Sequence, residues 1–253
     1  MTGASQLQLD RRRMLGGLAL GLGGAALTAC GSRAGAQAGA LACAATPTEI
    51  KGPFPADGSN GRPRPINVLN SEAVIREDIR PSFAGLQGRA AGVPVQLELR
   101  LVDARTCRPL PHHGVYLWQN DAAGKYSLYD LPEANYLRGL QLANRAGELK
   151  FTTIMPGCYG GRYPHCHFEL FSSAVPALGG EAPLLVSQFA FPEDECRAVY
   201  ESDARYGDSL RNLERQPLSR DFVFGDTEAA GQVVTLAGNP LMGYRGLLTI
   251  ALG

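Results

Sequence analysis

The sequence feature that most constrains the fold is an alternation of apolar and polar side chains in short runs. In residues 95–103, VQLELRLVD, one face carries Val95, Leu97, Leu99 and Leu101 and the other carries polar side chains. This period of two predicts a strand with one buried face. Further apolar or aromatic-rich runs lie between turn-forming residues: GVYLWQND, GELKFTTI, HCHFELF, LLVSQFAF, GQVVTLA and YRGLLTIAL.

Turn-forming residues separate these runs. They are abundant in the chain, which has 31 Gly and 17 Pro among its 253 residues. Only residues 193–206, EDECRAVYESDARY, show a convincing helical pattern, directly after Pro192. Many short strands with few helices indicate a β-sandwich. We therefore predict an all-β fold: a single-domain β-sandwich over residues 43–253, with a short helix after the strand HCHFELF.

The N-terminal region predicts export. In residues 1–30, a basic stretch, DRRRML, precedes LGGLALGLGGAALTA, which is too short and glycine-rich for a comfortable membrane-spanning helix. The order Arg11-Arg12-x-Met14-Leu15 resembles a twin-arginine signal. LTAC resembles a lipobox that makes Cys30 the lipidated first residue of the mature chain. The alternative is an ordinary signal peptide cut after an alanine.

Residues 31–42 are small and polar, which is typical of a flexible tether. The predicted location is therefore periplasmic or at the cell surface, held to a membrane through Cys30 without spanning it. Charge is balanced, with 24 Lys and Arg against 24 Asp and Glu. No overall field favours nucleic acid, so we expect no nucleic-acid partner.

The six cysteines fit an exported chain better than a cytosolic one. Without Cys30, an odd number remains, so at most two disulfides form and one thiol is left over: Cys43, Cys107, Cys158, Cys166 and Cys196. The sequence does not select the pairing. Cys166 should point into the core, so we expect it to be the unpaired, slowly reacting thiol.

Residues 157–170, GCYGGRYPHCHFEL, contain two histidines at positions i and i+2. Residues with this spacing on a strand share a face, with Cα atoms about 6.5 Å apart, so His165 and His167 could bind one ion. Taken alone, such a pair is more often exposed or hydrogen-bonded. His112 and His113 fall in the turn RPLPHHG and are interpreted as solvated.

Tyrosines could complete a site with these histidines. Tyr159 follows a Pro-Gly turn, and Tyr126 follows the strand that contains Trp118. A phenol has a free pKa near 10, so only a strong Lewis acid keeps it ionised at neutral pH. Ferric iron suits two phenolates and two imidazoles. Each tyrosine taken singly is more simply a core or rim aromatic, so the hypothesis depends on the combination.

Longer stretches together resemble the intradiol ring-cleavage dioxygenases, the class of catechol and protocatechuate dioxygenases. The resemblance runs from about Cys43 to the C-terminus: TPTEIKGPF, REDIRPSFAG, GVPVQLELRLVDARTCRPL, VYLWQNDAAGKYSLYD, YLRGLQLANRAGELKFTTIMPGCYGGRYPHCHFEL and VSQFAFPED. It implies a β-sandwich around a mononuclear non-haem Fe(III). The implied iron ligands are Tyr126, Tyr159, His165 and His167.

The resemblance also implies catalytic roles. Tyr159 would leave the metal and take up a proton when the diol binds. Arg162 matches an arginine that lies against the substrate, and Gln188 falls where the family has a polar glutamine. The implied reaction uses O2 to open a catechol-type ring between its two hydroxyl-bearing carbons, which gives a cis,cis-muconate-type diacid.

The sequence departs from familiar catabolic members in two places. Only five residues separate Tyr159 from His165, whereas those members have a longer loop that forms part of the pocket wall. The N-terminal helical dimerisation segment of some catechol dioxygenases is missing. With predicted export, these differences favour an extracellular branch and leave the ring substituents and the oligomeric state open.

Two other functions are compatible with parts of the sequence. A zinc hydrolase could use the two histidines with an oxygen or sulfur ligand. A lipid-anchored β-sandwich could bind a metal or an aromatic ligand without turnover. Neither function requires Tyr126, Tyr159 and Arg162 together. Colour separates the possibilities, because tyrosinate-bound ferric iron absorbs visible light and a zinc site does not.

The lipobox generates a testable prediction. Cys30→Ala should release the protein in soluble form, because the residue that would carry the lipid is lost. Fractionation of cells into membrane and soluble material, with immunodetection of the chain, measures this. If the variant partitions with membranes as the wild type does, the lipid anchor is not at Cys30.

Overall fold

The computed structural model describes residues 44–60, 65–227 and 229–253. Within them, eight strands form two four-stranded sheets. The strands are β1 (Pro94–Asp103), β2 (Gly114–Trp118), β3 (Arg138–Leu142), β4 (Glu148–Ile154), β5 (His165–Phe171), β6 (Leu185–Ala190), β7 (Thr235–Asn239) and β8 (Gly243–Leu252). The connections contain the helices α1 (Ala174–Gly179), α2 (Glu193–Ser202) and α3 (Ser209–Arg215), and 3-10 turns at Glu72–Val74, Ala204–Tyr206 and Leu218–Arg220.

The first sheet has the order β4-β1-β8-β7, with β1 near its centre. β1 pairs antiparallel with β4 and parallel with β8. Burial alternates along β1 as its sequence predicts, and the buried side chains face the core: Val95, Leu97, Leu99 and Leu101. Each apolar side chain of this size contributes roughly 1.5–3 kcal/mol when it is fully buried, so this strand anchors the sandwich.

The second sheet has the order β3-β2-β5-β6 and is antiparallel throughout. Every residue of β5 is buried. Cys166 and Phe168 belong to the core cluster that also contains the apolar face of β1. The opposite face of the sheet is covered by a second apolar cluster: Ala56, Val68, Leu69, Val74, Tyr116, Trp118, Tyr126, Leu140, Phe171 and Ala177. The histidines of β5 therefore lie in the interior, on the face away from the first sheet.

The prediction of an all-β sandwich is confirmed, and each predicted strand corresponds to an observed one. The sequence did not predict β3, because the short run RGLQL lacks clear alternation. The predicted helix over 193–206 is too long, since α2 ends at Ser202. Asp203 is extended, and its carboxylate accepts a hydrogen bond from the Arg205 N–H, which begins a separate 3-10 turn.

The cysteines differ from the expectation of one leftover thiol. Cys166 is free and buried as predicted, but Cys158 and Cys196 are free and buried too. Their sulfurs face different groups: the Arg162 carbonyl for Cys158, the Gln119 amide oxygen for Cys166 and the Met155 sulfur for Cys196. Cys107 is disulfide-bonded.

The predicted signal (1–30) and tether (31–42) lie outside the described residues, so both stay predictions, as does the domain boundary at residue 43. None of the helices in the described part of the chain has the length and hydrophobicity that a membrane-spanning helix requires.

A segment that bridges to Thr152 of β4 contains a carboxylate that links two arginines. Asp78 accepts hydrogen bonds from Arg80 Nε at 2.8 Å and from Arg89 Nη2 at 2.9 Å. Partial burial acts to raise the pKa of Asp78, but hydrogen bonds from Arg80 and Arg89 outweigh it and lower the pKa to about 2. Because this value lies below the ordinary 3.8, the ionised Asp78 carboxylate stabilises the fold fully above about pH 4. This contribution to the free energy of unfolding is lost as the pH falls toward 2.

Asp78→Asn should lower the free energy of unfolding by about 0.5–1 kcal/mol at pH 7, a small effect because the exposed part of the network is screened by solvent. The difference from wild type should shrink between about pH 4 and pH 2. Urea unfolding at several pH values measures it. The control Glu77→Gln removes the exposed neighbouring carboxylate, and an equal loss in both variants would contradict the role of Asp78.

Candidate metal centre

Four side chains from three parts of the chain meet on the outer face of the second sheet. His165 and His167 begin β5, Tyr159 lies in the turn before β5, and Tyr126 lies in the loop after β2. The turn and the loop are joined, because the Gly157 N–H donates to the Asp121 carbonyl at 3.0 Å. The strand period places both imidazoles on one face, and this backbone contact brings the two phenols to them.

The four donor atoms converge on one point. The two histidine Nε2 atoms are 3.1 Å apart. The Tyr126 hydroxyl oxygen lies 3.5 Å from His165 Nε2 and 3.3 Å from His167 Nε2. The Tyr159 hydroxyl oxygen lies 3.4 Å from His165 Nε2 and 3.5 Å from the Tyr126 hydroxyl. Donors that share an ion at about 2.0–2.1 Å lie about 3.0–3.5 Å apart, so the four atoms fit one metal ion.

Both imidazoles are held in the neutral form that metals bind. His165 Nδ1 donates to the Tyr163 carbonyl at 2.5 Å, which leaves the lone pair on Nε2. Burial, with the Arg162 charge, lowers the pKa of His165 to about 3, and burial lowers the pKa of His167 well below its usual value. His167 Nδ1 is buried without a hydrogen-bond partner. Its ring is instead held by stacking on Trp118, with ring centres 5.1 Å apart and planes 4° from parallel.

The phenols make a metal of high charge the best fit. Burial raises the pKa of Tyr159 and raises that of Tyr126 well above its usual value, with the neighbouring phenol adding to the shift of Tyr126. Neither hydroxyl would therefore ionise at neutral pH unaided. A hard, strongly charged cation supplies the charge that two buried phenolates require, and it also accepts imidazole nitrogen.

Arg162 places a cation beside these donors. Its side chain is buried, and Nη1 lies 3.2 Å from His165 Nε2. Nε donates to the Asp221 carboxylate at 2.9 Å, and Nη2 donates to the Gln188 side-chain carbonyl at 2.6 Å. Burial acts to raise the pKa of Asp221, but the hydrogen bonds from Arg162 and the Tyr163 N–H lower it below its usual value. The buried guanidinium is thus paired with an ionised carboxylate.

Gln188 contacts Arg162 rather than the four donor atoms. It lies opposite His167 in the pairing of β5 with β6, and its amide donates to the Ile50 carbonyl at 2.8 Å. Ile50 belongs to residues 46–57, which we call the covering strap because they cross the outer face of the second sheet. Gln188 therefore links the strap to the arginine.

The covering strap forms one wall of the site. The ring of Phe54 packs on Tyr126 with centroids 4.7 Å apart. Gly52 has a φ of +78°, and a Cβ added there would lie 2.9 Å from His167 Cε1. Lys51 Nζ lies 2.6 Å from a carboxylate oxygen of Glu169, two residues beyond His167. A glycine is needed at position 52 for both its backbone conformation and its contact with the imidazole.

On another side, the site is bordered by the short loop between Tyr159 and His165. Gly160 and Gly161 are exposed, and a Cβ added at either would meet no atom within 4 Å. Tyr159 itself is only partly buried.

Other residues with metal-binding side chains lie elsewhere. His112 and His113 are in a turn before β2, and His113 Nδ1 lies 3.1 Å from the Pro111 carbonyl. No group of three His, Cys, Asp or Glu in the described ranges is placed to hold a metal. A zinc site of that type therefore has no support there.

The sequence did not point to Asp221, Gly52 or Trp118. Asp221 lies in the run RDFVFGD, more than fifty residues after Arg162 in the sequence. The strap had two signals in the sequence: it contains TPTEIKGPF, one of the stretches that carry the resemblance, and its Gly-Pro pair at 52–53 marks a special backbone conformation.

The family model and the solved structures that match this chain are those of dioxygenases. A family model described as Dioxygenase matches residues 76–201. The chain is similar to the structure of an intradiol ring-cleavage dioxygenase from Tetranychus urticae, at 24% identity and a TM-score of 0.63, over 83% of this chain and 95% of that one. It is also similar to the dioxygenase domain of a dioxygenase carbohydrate-binding protein fusion from Streptomyces sp. SirexAA-E. That match has 20% identity and a TM-score of 0.51, over 82% of this chain and 97% of that one. The comparison with curated proteins gave no match.

Gly52→Ala should weaken binding of added ferric iron, because the new methyl group displaces the His167 imidazole. It should also destabilise the fold by about 1–2 kcal/mol through the left-handed backbone. Gly180→Ala is the matched control: its φ is +75°, and no atom lies within 4 Å of the added Cβ. Iron titration and urea unfolding separate the two effects. Equal iron affinity in both variants would contradict the contact between position 52 and His167.

Proposed function

Because the chain belongs to the intradiol ring-cleavage dioxygenase family, we propose that it opens catechol-type diols with O2 at a ferric iron. The proposed iron ligands are Tyr126, Tyr159, His165 and His167. The observation that carries the proposal is that two phenol oxygens and two imidazole nitrogens lie 3.1–3.5 Å from their neighbours in one cluster. The donor types fit ferric iron because the two phenolates balance most of its charge.

Ferric iron, when bound, would supply the Lewis acidity that keeps the diol ionised and makes its ring reactive toward O2. Tyr159 would give up its place to the diol and accept one of the diol protons on its hydroxyl oxygen. Its partial exposure supports this role, since Tyr126 is enclosed by the apolar cluster. In this proposal Tyr159 is the base that moves, and the other three donors stay in place.

Arg162 would stabilise negative charge that develops during the reaction. Its guanidinium lies beside His165 and is held from two sides by Asp221 and Gln188. A cation fixed in a buried site acts more strongly on a developing charge than one that must reorganise. Gln188 is assigned the role of holding Arg162 Nη2, in place of a direct role toward the diol.

The proposed product is a cis,cis-muconate-type diacid, formed when the bond between the hydroxyl-bearing carbons breaks. Both atoms of O2 enter the product, so the reaction needs no external reductant. We further propose that it takes place outside the cytoplasm, at a membrane surface reached through lipidated Cys30. The N-terminal sequence is the support for that location.

The function can be tested with the purified protein, its iron content, its visible absorbance and its oxygen uptake on a panel of catechols. Wild type should be coloured and consume O2. His167→Asn should retain little iron, because one of four donors is lost. Tyr159→Phe should keep iron, shift the visible band and lower turnover by about 100-fold or more, because the proton acceptor is missing.

His112→Asn is the matched control for His167→Asn. His112 is exposed and has a φ of 64°, which asparagine tolerates, so iron and uptake should stay at wild-type levels. A wild-type protein that takes up no ferric iron would overturn the proposal. Iron and colour without oxygen uptake on any diol would favour a binding protein without turnover.

A further inference from the structure

The turn at residues 221–224, DFVF, packs against both Arg162 and His165. It follows the 3-10 turn Leu218–Arg220 and lies outside the strands of the sandwich. Asp221 and Phe224 are buried, whereas Phe222 is 69% exposed.

Asp221 uses both carboxylate oxygens to organise the site. Oδ2 accepts hydrogen bonds from Arg162 Nε at 2.9 Å and from the Tyr163 N–H at 2.7 Å. Oδ1 accepts from the Val223 N–H at 2.9 Å, which closes the turn on itself. The Tyr163 carbonyl accepts from His165 Nδ1. One carboxylate is therefore connected to the guanidinium directly and to a proposed iron ligand through a single residue.

The two aromatic rings of the turn add contacts to the guanidinium. The Cζ atom of Arg162 lies 4.9 Å from the ring centre of Phe222 and 5.8 Å from that of Phe224. Phe224 also meets the His165 ring edge-on, with ring centres 6.5 Å apart. The rings restrict the guanidinium and attract its charge, while the exposed position of Phe222 places it between Arg162 and solvent.

Gln188 alone would leave Arg162 free to rotate. Its side-chain carbonyl contacts only Nη2, whereas the Asp221 carboxylate holds a second nitrogen, Nε. A guanidinium held at two of its nitrogens has one orientation, and in that orientation Nη1 lies 3.2 Å from His165 Nε2.

We propose that Asp221, Phe222 and Phe224 form a clamp that positions the Arg162 guanidinium beside the metal centre. The three residues are positioning residues, since they act on the reaction through Arg162. The consequence for catalysis rests on the proposed dioxygenase function, whereas the clamp itself is a property of the folded chain. The two parts can be tested separately.

The first test measures how well Arg162 is protected from phenylglyoxal, a reagent that modifies accessible arginines. In wild type Arg162 is 6% exposed, so it should react slowly. In Asp221→Asn it should react at a rate approaching that of Arg105, whose side chain is 87% exposed. Mass mapping of the peptides reports each arginine. Arg138 is fully buried away from the clamp and should stay protected in every folded variant.

The second test measures kinetics on catechol, with rates expressed per bound iron. Asp221→Asn should lower kcat by about 10- to 100-fold, the usual cost of losing a residue that orients an active group, with a small change in KM. Asp226→Asn, which removes an exposed carboxylate of the same loop, is the matched control and should retain wild-type kcat. In the Arg162→Ala background, Asp221→Asn should cause no further loss, because its effect passes through the arginine.

Phe222→Ala keeps the proposal testable if Asp221→Asn fails to fold, because its ring is exposed. It should keep the unfolding midpoint, raise the labelling rate of Arg162 and lower kcat by about two- to five-fold. Unchanged Arg162 labelling in both folded variants would overturn the clamp, as would additive losses in the Arg162→Ala background. A wild type that consumes no O2 would contradict the proposed function, while the labelling would still decide the clamp.

Discussion

The structure depends on a strand that is buried on both faces. β5 lies inside the second sheet, and its period of two sends Cys166 and Phe168 into the sandwich core while His165 and His167 face the other way. The apolar side chains on that outer face, such as Tyr116 and Trp118 of β2, would cost free energy if they were left against water. The outer face must therefore be covered, and the segments that cover it include the loop that carries Tyr126.

The covering strap and the loop that carries Tyr126 are held by the guanidinium of Arg138, which forms no ion pair among the described residues. Arg138 is fully buried on β3 and donates to the carbonyls of Phe54 and Pro55 in the strap and to the carbonyl of Ser127. Ser127 directly follows Tyr126. One side chain thus fixes the strap and the loop that carries a phenol, with each hydrogen bond to a charged group contributing about 1.5–3 kcal/mol in a buried site. The hydrogen bonds that organise the donor cluster are accepted by backbone carbonyls. Every residue has such a carbonyl, so no sequence motif marks these contacts.

The strands that could be predicted are those whose own residues show a clear pattern of apolar side chains. The alternation in VQLELRLVD is visible because β1 has one face in the core and one in water, and HCHFELF stands out because every position is buried. β3 was missed because five residues, the second of them a glycine, leave too little pattern. Arg162 and the four donors were found through a family resemblance that includes their spacing. Asp221 was not, because its partner lies 59 positions away and a short polar turn gives no period to detect.

The two tyrosines have the same chemistry but different surroundings, and this difference decides which can move. Tyr126 is buried, its ring packs on Phe54, and its backbone N–H is bonded to the Asp130 carboxylate at 2.8 Å. Tyr159 is partly exposed and is followed by two exposed glycines that contact nothing on their side-chain side. Rotating Tyr126 would open a cavity in an apolar cluster, which costs energy in proportion to the volume left empty. Tyr159 is only partly buried and packs at the margin of the same cluster, so rotating it toward water would leave a smaller void than rotating Tyr126.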